Sequence, residues 1–339
     1  MTAPVFFTVS GFIFTYLLVR VPQTGLNNPR VKKGIKRGLE LLAIGYLLRL
    51  NLGGLLQGKL YDAFFFVDVL HCIGLSILSI IAIYLLTNGK KSALFPTVLV
   101  AITLLLFIFE PLYASTTFSS LPDAFANYLT NTNGSVFTII PWLGYATFGA
   151  FAALLFTKYK EHQHLYRRAI TIALSVGAFL IFLSSDFFVL LTELTGIQLF
   201  ETISFNNYLF IRLGDVFVAF AVFMLLRKWL TNSTFLKIGQ STLSIYIIHF
   251  IILYGSFTGL GLYRFFHHSL SPAMVMIGAI VFMIVCSFTA LLYEKHKVAL
   301  KRNIKNALHA AWTTGEPFFR NSFSKVKLLI LKLFGLVKN

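Results

Sequence analysis

Long runs of apolar residues, separated by short polar segments, dominate this sequence. Nine of these runs approach the roughly 20 residues that a helix needs to cross about 30 Å of hydrocarbon. They cover residues 3–19, 38–56, 64–86, 94–113, 137–157, 169–191, 207–226, 242–259 and 273–293. The runs are continuous rather than alternating, which favours helices over a transmembrane β-barrel. The pattern therefore predicts an all-α integral membrane protein, a polytopic bundle of about nine transmembrane helices.

The composition supports a membrane protein and excludes most soluble classes. Of the 339 residues, 57% are hydrophobic and only 12% are charged, whereas a soluble domain has about 25% charged residues. Cores of soluble domains stop growing at about 250–300 residues, so this much apolar surface has to meet lipid. The 9 Pro and 23 Gly do not suit a collagen or a disordered chain. Cys72 and Cys286 both lie inside apolar runs, where a thiol packs as a small hydrophobe.

The distribution of basic residues predicts the orientation of the helices. The formal net charge is +17, but most of the Lys and Arg residues lie between or after apolar runs, so we expect no nucleic-acid partner. The segment 20–37 holds six basic residues and no acidic one. Further basic segments alternate with it and contain Lys90, Lys91, Lys158, Lys160, Arg167, Arg168, Arg227, Lys228 and Lys237. Basic loops face the cytoplasm, which predicts an outside N-terminus and a cytoplasmic C-terminus.

The first apolar run begins two residues after Met1 and has no cationic flank before it. We expect that one transmembrane helix precedes this sequence in the native protein, which would then have ten. Insertion of a short N-terminus towards the outside is the alternative. A signal peptide is disfavoured because Arg20 follows the run and no basic residue precedes it.

Residues 294–339 form a second, strongly basic region after the predicted membrane domain of residues 1–293. This region contains ten basic residues against Glu294 and Glu316. We interpret it as a cytoplasmic tail. Within residues 323–337 Lys alternates with Leu, Ile and Phe, which suits either a solvated tail or an amphipathic helix on an anionic lipid leaflet.

Ionisable residues inside the apolar runs are the first candidates for chemistry. Each costs about 2.5–3.5 kcal/mol in a membrane unless it faces a cavity or a partner. With the predicted orientation, most of them fall near the outer ends of their helices. They are Asp68, His71, Glu110, Asp186, Arg212 and Asp215, with Arg49 and His249 nearer the middle of theirs. A polar cavity that opens outward explains this distribution.

The spacing of these residues suggests particular pairs. Asp68 and His71 are three residues apart and share a helix face, so the carboxylate can orient the imidazole as a general base requires. A structural hydrogen bond is the alternative interpretation. Arg212 and Asp215 have the same spacing, which favours an ion pair within one helix. His249 is surrounded by apolar residues and, by itself, is typical of a core histidine.

Other chemistries have little basis in the sequence. It contains no HExxH, CxxC, GxSxG or GxxxxGK[ST] motif. The histidine pairs His162/His164 and His267/His268 lie in loops without acids or cysteines at ligand spacing. We therefore expect no metal cofactor.

Several segments resemble the multi-pass transmembrane acyltransferases, in the same order and on the same helices. Residues 3–12 (APVFFTVSGF) resemble the PxFFxxSGF helix of that superfamily, and residues 36–39 (KRGL) resemble its basic helix entry. Residues 68–76 (DVLHCIGLS) are similar to the VLQxIGLS segment of the heparan-alpha-glucosaminide N-acetyltransferase-like family. Residues 140–145 (IPWLGY) and 239–249 (GQSTLSIYIIH) resemble its PWLGY and GxxSLxIYxxH segments. This family is the expected closest one, with acyltransferase family 3 as a near relative.

The resemblance implies that cytoplasmic acyl-CoA, expected to be acetyl-CoA, donates its acyl group to a sugar on the outer side. The acceptor would be a cell-envelope glycan or a lipid-linked sugar, and the expected location is the bacterial cytoplasmic membrane. The ionisable residues identified above fit this layout as catalytic candidates: Asp68, His71, Asp215 and His249. The candidates for binding the CoA phosphates are Lys32, Lys33, Lys36, Arg37 and Arg168, although orientation alone could explain these charges. The candidates for binding the acceptor are Trp142, Tyr145, Asp186 and Arg212.

One departure from the family leaves an alternative open. Its members carry a DxxRG segment and a following histidine that looks catalytic on the helix before PxFFxxSGF, and this sequence has no residues there. Many relatives have Gln where His71 stands, so the candidacy of His71 depends on its pairing with Asp68. The second hypothesis is a membrane protein without catalysis, either a carrier or an inactive paralogue. The sequence does not distinguish N-acylation from O-acylation.

Overall fold

A computed structural model describes the backbone of residues 2–333 and the side chains of residues 2–303, 306, 307 and 309. Its described part is α-helical and contains no β-strand, with a single isolated bridge between Asn51 and Phe257. The predicted all-α class is confirmed.

The helices follow one another with short connections. In chain order they are α1 (Thr2–Val19), α2 (Pro29–Arg49), α3 (Leu52–Leu56), α4 (Val69–Thr87), α5 (Leu94–Ile108), α6 (Glu110–Ala114), α7 (Asp123–Ala126), α8 (Ile139–Tyr159), α9 (Leu165–Ala178), α10 (Ser184–Thr195), α11 (Gln198–Phe205), α12 (Tyr208–Leu226), α13 (Ser233–Gln240), α14 (Thr242–Tyr254), α15 (Leu262–Phe266) and α16 (Pro272–Leu333). A π-helical turn at Phe179–Leu183 joins α9 to α10.

Within the described residues, six helical segments are long and apolar enough to cross a membrane. They are Thr2–Val19, Asp62–Thr87, Ile139–Tyr159, Leu165–Thr195, Tyr208–Leu226 and Pro272–Asn303. The pair α13 and α14, bent by 63°, would make a seventh span, and α5 is a shorter apolar helix. Each of the nine predicted runs overlaps a helix, while nine as the number of membrane spans stays a prediction.

The apolar surface of these helices is too large to face water. In Pro272–Asn303 only 11% of the most apolar window is buried, and in Leu165–Thr195 only 17%. Exposed apolar faces of this length are stable only when lipid or another protein covers them. Together with the length and hydropathy of the helices, this identifies an integral membrane protein.

Helix α2 begins earlier and ends sooner than the apolar pattern predicts. Its N-cap is Asn28, whose side chain accepts a hydrogen bond from the backbone N–H of Arg30, and Pro29 occupies the first helical position. These are strong helix-start signals that do not depend on hydrophobicity. Five of the six basic residues predicted to lie in a loop are therefore on the first turns of α2, and Arg20 directly follows α1. Arg49, predicted near the middle of its span, is the last residue of the helix.

The chain folds into two compact units. The first unit consists of Met1–Thr231 and Tyr254–Phe265, and the second consists of Asn232–Leu253 and Phe266–Asn339. In the first unit, α8 packs against α1, α4 and α5, α2 packs against α4, and α9 packs against α12. Glycines allow the closest of these approaches. A Cβ on Gly11 would lie 2.0 Å from the carbonyl oxygen of Ala146, and one on Gly149 would lie 1.9 Å from that of Thr8.

The segment between α6 and α8 is held against the start of α4. The backbone N–H of Val67 donates to the Ser135 hydroxyl at 3.0 Å, and the Asn127 amide donates to the carbonyl of Phe65 at 3.1 Å. The backbone N–H of Ile139 donates to the carbonyl of Tyr128 at 2.7 Å. These bonds fix the polar loop over the N-terminal end of α4, where the candidate site lies.

In the second unit, a polar contact joins α14 to α16. The carboxylate of Glu294 accepts hydrogen bonds from the Ser244 hydroxyl and from the ammonium of Lys297. The helix α16 runs through residue 293 without a break, so the predicted start of the basic tail is not a break in secondary structure. The amphipathic character predicted for residues 323–337 lies outside the described side chains.

Candidate active site

Asp68 and His71 meet at the N-terminal end of α4, as their spacing predicts. Asp68 is the N-cap of the helix, and its Oδ1 accepts from the backbone N–H of Leu70 at 3.2 Å. The same oxygen lies 3.0 Å from Nδ1 of His71, and both side chains are buried. Because Nδ1 faces a carboxylate oxygen, we assign the proton of the neutral imidazole to Nδ1, which leaves the lone pair on Nε2. The backbone N–H of Asp68 lies 3.3 Å from the same Nδ1 and is the weaker contact.

Arg49 completes the group from the end of α2. Its Nε donates to Oδ2 of Asp68 at 3.1 Å, and one of its terminal nitrogens donates to the carbonyl of Ala63 at 3.2 Å. Both carboxylate oxygens of Asp68 are therefore engaged, one by Arg49 and one by His71. The sequence analysis gives no role to Arg49, although a single arginine within an apolar run was the signal that could have identified it.

The imidazole of His71 is completely buried, and its Nε2 has no hydrogen-bond partner among the described residues. One side of the ring lies against Gly45 of α2, where a Cβ would approach the imidazole Cε1 to 2.6 Å. The ring of Tyr46 packs edge-on against it, with 4.4 Å between centroids. A buried, unpaired nitrogen is costly, and such groups are common where a ligand or a proton is to be received.

Two tyrosines border the imidazole from opposite parts of the chain. The hydroxyls of Tyr46 and Tyr128 form a hydrogen bond of 2.7 Å, and the ring of Tyr128 lies 6.3 Å from that of His71. Burial raises the pKa of Tyr128, which lies in the loop between α6 and α8, so its hydroxyl stays protonated at neutral pH. The sequence analysis missed both residues, because tyrosines are common in apolar helices and in loops.

A second polar group lies on α12 and its neighbours in the same unit. Arg212 donates to a carboxylate oxygen of Asp215 at 2.8 Å, which confirms the ion pair predicted from their spacing. One turn earlier, the hydroxyl of Tyr208 donates to the buried carboxyl of Glu110 at 3.3 Å. These polar residues occupy the first turns of α12 and the start of α6.

Aromatic rings at the start of α8 and just before it pack against one another. The rings of Trp142 and Phe137 lie 5.1 Å apart, and those of Trp142 and Tyr145 lie 5.8 Å apart. Tyr145, predicted to contact the acceptor, is completely buried and donates its hydroxyl to the carbonyl of Leu209 at 2.9 Å. The hydroxyl proton of Tyr145 is thus engaged within the protein, whereas the ring of Trp142 is only half-buried.

Asp186 lies apart from these groups, and His249 belongs to the second unit. Asp186 is exposed in the first turn of α10, directly after the π-helical turn, and takes part in none of the described hydrogen bonds or ion pairs. His249 lies on α14, where its ring packs against Tyr246 at 4.9 Å. Asp186 has no described contact with Asp68 or His71.

The basic residues predicted to bind phosphates are all exposed. Lys32, Lys33, Lys36 and Arg37 lie on the first turns of α2, and Arg168 lies on the first turn of α9. Of the five, only Lys36 has a described ion pair, at 3.9 Å from Glu40. Among the described side chains, no group of three or more His, Cys, Asp or Glu residues could hold a metal ion.

The chain matches one known protein family. A family model described as an acyltransferase domain, that of acyltransferase family 3, matches residues 1–292. A search of curated proteins and a search of solved structures each gave no match. The resemblance to acyltransferase family 3 is confirmed, while the closer placement with the heparan-alpha-glucosaminide N-acetyltransferase-like family is not. Since the match covers most of the chain, the protein belongs to acyltransferase family 3 and carries the acyltransferase domain of that family.

Proposed function

We propose that this membrane acyltransferase moves an acyl group, expected to be acetyl, from cytoplasmic acyl-CoA to a sugar on the outer face of the membrane. The observation that carries the proposal is the buried series Arg49, Asp68 and His71, which ends in an unpaired Nε2. A base prepared in this way is what an acyl transfer to a hydroxyl or amine requires.

The proposed chemistry uses each member of the series. Nε2 of His71 takes the proton of the acceptor as its oxygen or nitrogen attacks the thioester carbonyl carbon. The C–S bond then breaks, and the imidazolium returns the proton to the sulfur of CoA. Asp68 stabilises the charge that forms on the imidazole, as the carboxylate does in other acid–base triads. Arg49 bonds to Oδ2 of Asp68 and orients the carboxylate, which makes Arg49 a positioning residue.

The proposed topology has nine spans with the N-terminus outside and the C-terminus in the cytoplasm. It is supported by the alternation of basic segments along the chain. With this topology, the C-terminal end of α2 and the N-terminal ends of α4, α8 and α12 all face outward. Those ends carry Arg49, Asp68, Trp142 and Arg212. The acceptor would therefore approach from outside, near the half-buried ring of Trp142.

The donor would approach from the opposite side. Lys32, Lys33, Lys36 and Arg37 lie at the cytoplasmic end of α2 in this topology, and Arg168 lies at that end of α9. Exposed cations suit the phosphates of CoA. We propose the bacterial cytoplasmic membrane as the location and a cell-envelope glycan as the acceptor. Asp215 and His249 remain proposed catalytic residues, and Asp186 remains a proposed acceptor contact.

Acetyl transfer from radiolabelled acetyl-CoA to membrane glycan tests this function. We expect His71→Gln and Asp68→Asn to lower the rate at least 100-fold, and Asp215→Asn to lower it as well. Asp62→Asn is the matched control, since Asp62 is an exposed acid just before α4 with no role in the site. Full activity in both His71→Gln and Asp68→Asn would refute the site. The absence of any transfer by the unaltered protein would favour a membrane protein without catalysis.

A further inference from the structure

An open groove runs between α5 and α8 at the end of α8 opposite the candidate site. It has a volume of about 600 Å³ and is lined by one face of residues 93–104, beginning at the N-cap of α5, and by one face of residues 151–158 near the end of α8. The candidate site lies at the other end, since Cys72, next to His71, bonds to the carbonyl of Thr138 just before α8. Twelve residues of α8, or about 18 Å, separate its start from the groove. The groove is therefore distinct from the site.

The sequence of α5 leaves the groove open. Beside it the two helices are joined by a hydrogen bond of 2.8 Å between the hydroxyls of Thr103 and Thr147. Towards the start of α5, small side chains stand one turn apart on the groove side, at Ala93, Thr97 and Ala101. These side chains are too short to fill the space in front of α8, and all three are exposed.

The wall of the groove suits a hydrocarbon chain. Apart from Thr97 and Lys158, every lining residue is apolar. The hydroxyl of Thr97 donates to the carbonyl of Ala93 at 2.7 Å, so it is already satisfied. A wall of this kind offers few hydrogen bonds to a sugar or to the polar arm of CoA. Residues 93–104 extend about 16 Å along α5, which is about half of the roughly 30 Å of hydrocarbon in a bilayer and so matches one leaflet.

Positive charge surrounds the open end of the groove. Lys158 lies in the last turn of α8 and lines the groove, and Lys90 and Lys91 directly precede α5. All three are exposed, and none takes part in a described ion pair. Glu161, the acid that follows α8, is already paired with Lys160 at 3.4 Å. Lysines near a helix end reach the level of the lipid headgroups, where they attract phosphates.

We propose that this groove binds an anionic phospholipid, with one acyl chain between α5 and α8 and the phosphate at Lys158, Lys90 and Lys91. A second copy of the protein is a poorer occupant. Docking through the same face would bring two sets of these lysines together, which charge repulsion opposes. The site does not depend on acyl transfer. It also holds for either orientation of the protein, because these helix ends meet a membrane surface in both.

Photolabelling locates the lipid on the unaltered protein. The protein is reconstituted in phosphatidylcholine vesicles that contain a small share of phosphatidylglycerol with a diazirine on one acyl chain, or of the matched phosphatidylcholine probe. Labelled peptides are identified by mass spectrometry after illumination. We expect the phosphatidylglycerol probe to label residues 93–104 and 151–158 about fivefold more than residues 272–303, whose exposed apolar surface gives the background. The phosphatidylcholine probe should show a smaller preference.

Two variants test the two parts of the site. Lys158→Gln should lower labelling of the groove by the phosphatidylglycerol probe about fivefold, the factor for one lysine near anionic lipid, and leave the phosphatidylcholine probe unaffected. Ala101→Phe fills the groove and should lower labelling by both probes. The matched controls are Lys237→Gln on α13 and Ala279→Phe on α16, both at exposed positions, and neither should change labelling of the groove. Thermal unfolding in detergent verifies that each variant is folded.

Three results would overturn the proposal. The first is equal labelling of the groove and of residues 272–303 by the phosphatidylglycerol probe. The second is unchanged labelling in Lys158→Gln. The third is a groove that neither probe labels, in a dimer that Ala101→Phe disrupts, which would identify a second copy as the occupant. No readout here uses acetyl transfer, so failure of this proposal and failure of the proposed function are separate results.

Discussion

At the scale of single residues, Asp68 serves the helix and the site with the same carboxylate. It caps α4 through the backbone N–H of Leu70, and it also holds the imidazole of His71 and the guanidinium of Arg49. The cap fixes the direction of the side chain at the point where the helix begins, so the geometry of the pair depends on local structure. This explains why a spacing of three residues was sufficient to predict it.

Gly45 leaves the space that the imidazole ring of His71 occupies. A Cβ at this position would lie 2.6 Å from the imidazole Cε1, so we expect Gly45→Ala to push the ring away from its place. A displacement of about 1 Å at a reacting group lowers rates about 100-fold. Acetyl transfer measured in membranes checks this prediction.

The control for this experiment is another helical glycine. Gly278 lies in α16, and a Cβ there would meet no atom within 4 Å. We expect Gly278→Ala to keep full activity, since alanine is the better helix former. Equal rates for Gly45→Ala and the unaltered protein would show that the described position of His71 does not matter for the reaction.

At the scale of elements, glycines set how closely the helices of the first unit approach. Gly38 and Gly74 face each other between α2 and α4, where added Cβ atoms would lie 2.9 and 2.7 Å from the opposite carbonyl oxygens. Gly177 and Gly214 do the same between α9 and α12, at 3.1 and 2.9 Å. Helices in lipid associate through such small residues, because apolar side chains gain little by leaving hydrocarbon.

The contact between α1 and α8 is the closest and gives the clearest prediction. Gly149→Ala places a methyl group 1.9 Å from the carbonyl oxygen of Thr8, where backbone has to move. We expect it to lower the free energy of unfolding by roughly 1–3 kcal/mol, as overpacking does in tight cores. Gly239→Ala is the control, because a Cβ there meets nothing within 4 Å. Thermal unfolding in detergent measures both, and equal midpoints would contradict the described packing.

At the scale of the whole molecule, the distribution of Lys and Arg residues supports the proposed orientation of the helices, and the exposed apolar surface indicates that the protein lies in a membrane. The net charge of +17 is carried mainly by segments between and after the apolar runs. Short loops rich in Lys and Arg are the ones retained in the cytoplasm, and this rule is the basis of the proposed orientation. The proposed topology therefore depends on properties that no single contact reveals.

Labelling of engineered cysteines tests this topology. We expect Ser120→Cys, in the segment between α6 and α7, to react with an impermeant maleimide in intact cells. Its matched partner Ser92→Cys, between α4 and α5, should react only after the cells are permeabilised. Both serines are exposed, and the native Cys72 and Cys286 are buried, so the unaltered protein provides the background. Labelling of Ser92→Cys in intact cells would reverse the proposed orientation.

The helical part of the fold was largely predictable from hydropathy, but helix boundaries were not. Each apolar run overlaps a helix, because burying backbone in lipid requires internal hydrogen bonds. The start of α2 was missed, since a cap at Asn28 and a proline at position 29 begin a helix within charged sequence. The candidate site was predictable only where its residues are close in the chain, as with Asp68 and His71 or Arg212 and Asp215.

The sequence alone determined the helical class, the membrane location and the local pairs, because hydropathy and three-residue spacing act over one or two turns of chain. Only the tertiary structure brought Arg49 to Asp68 across 19 residues and Tyr46 to Tyr128 across 82. It also buried Tyr145 with its hydroxyl bonded to the Leu209 carbonyl, and left Asp186 exposed. Contacts of this kind depend on how closely the helices pack. In this protein glycines set that distance, and the sequence alone does not show which residues each glycine faces.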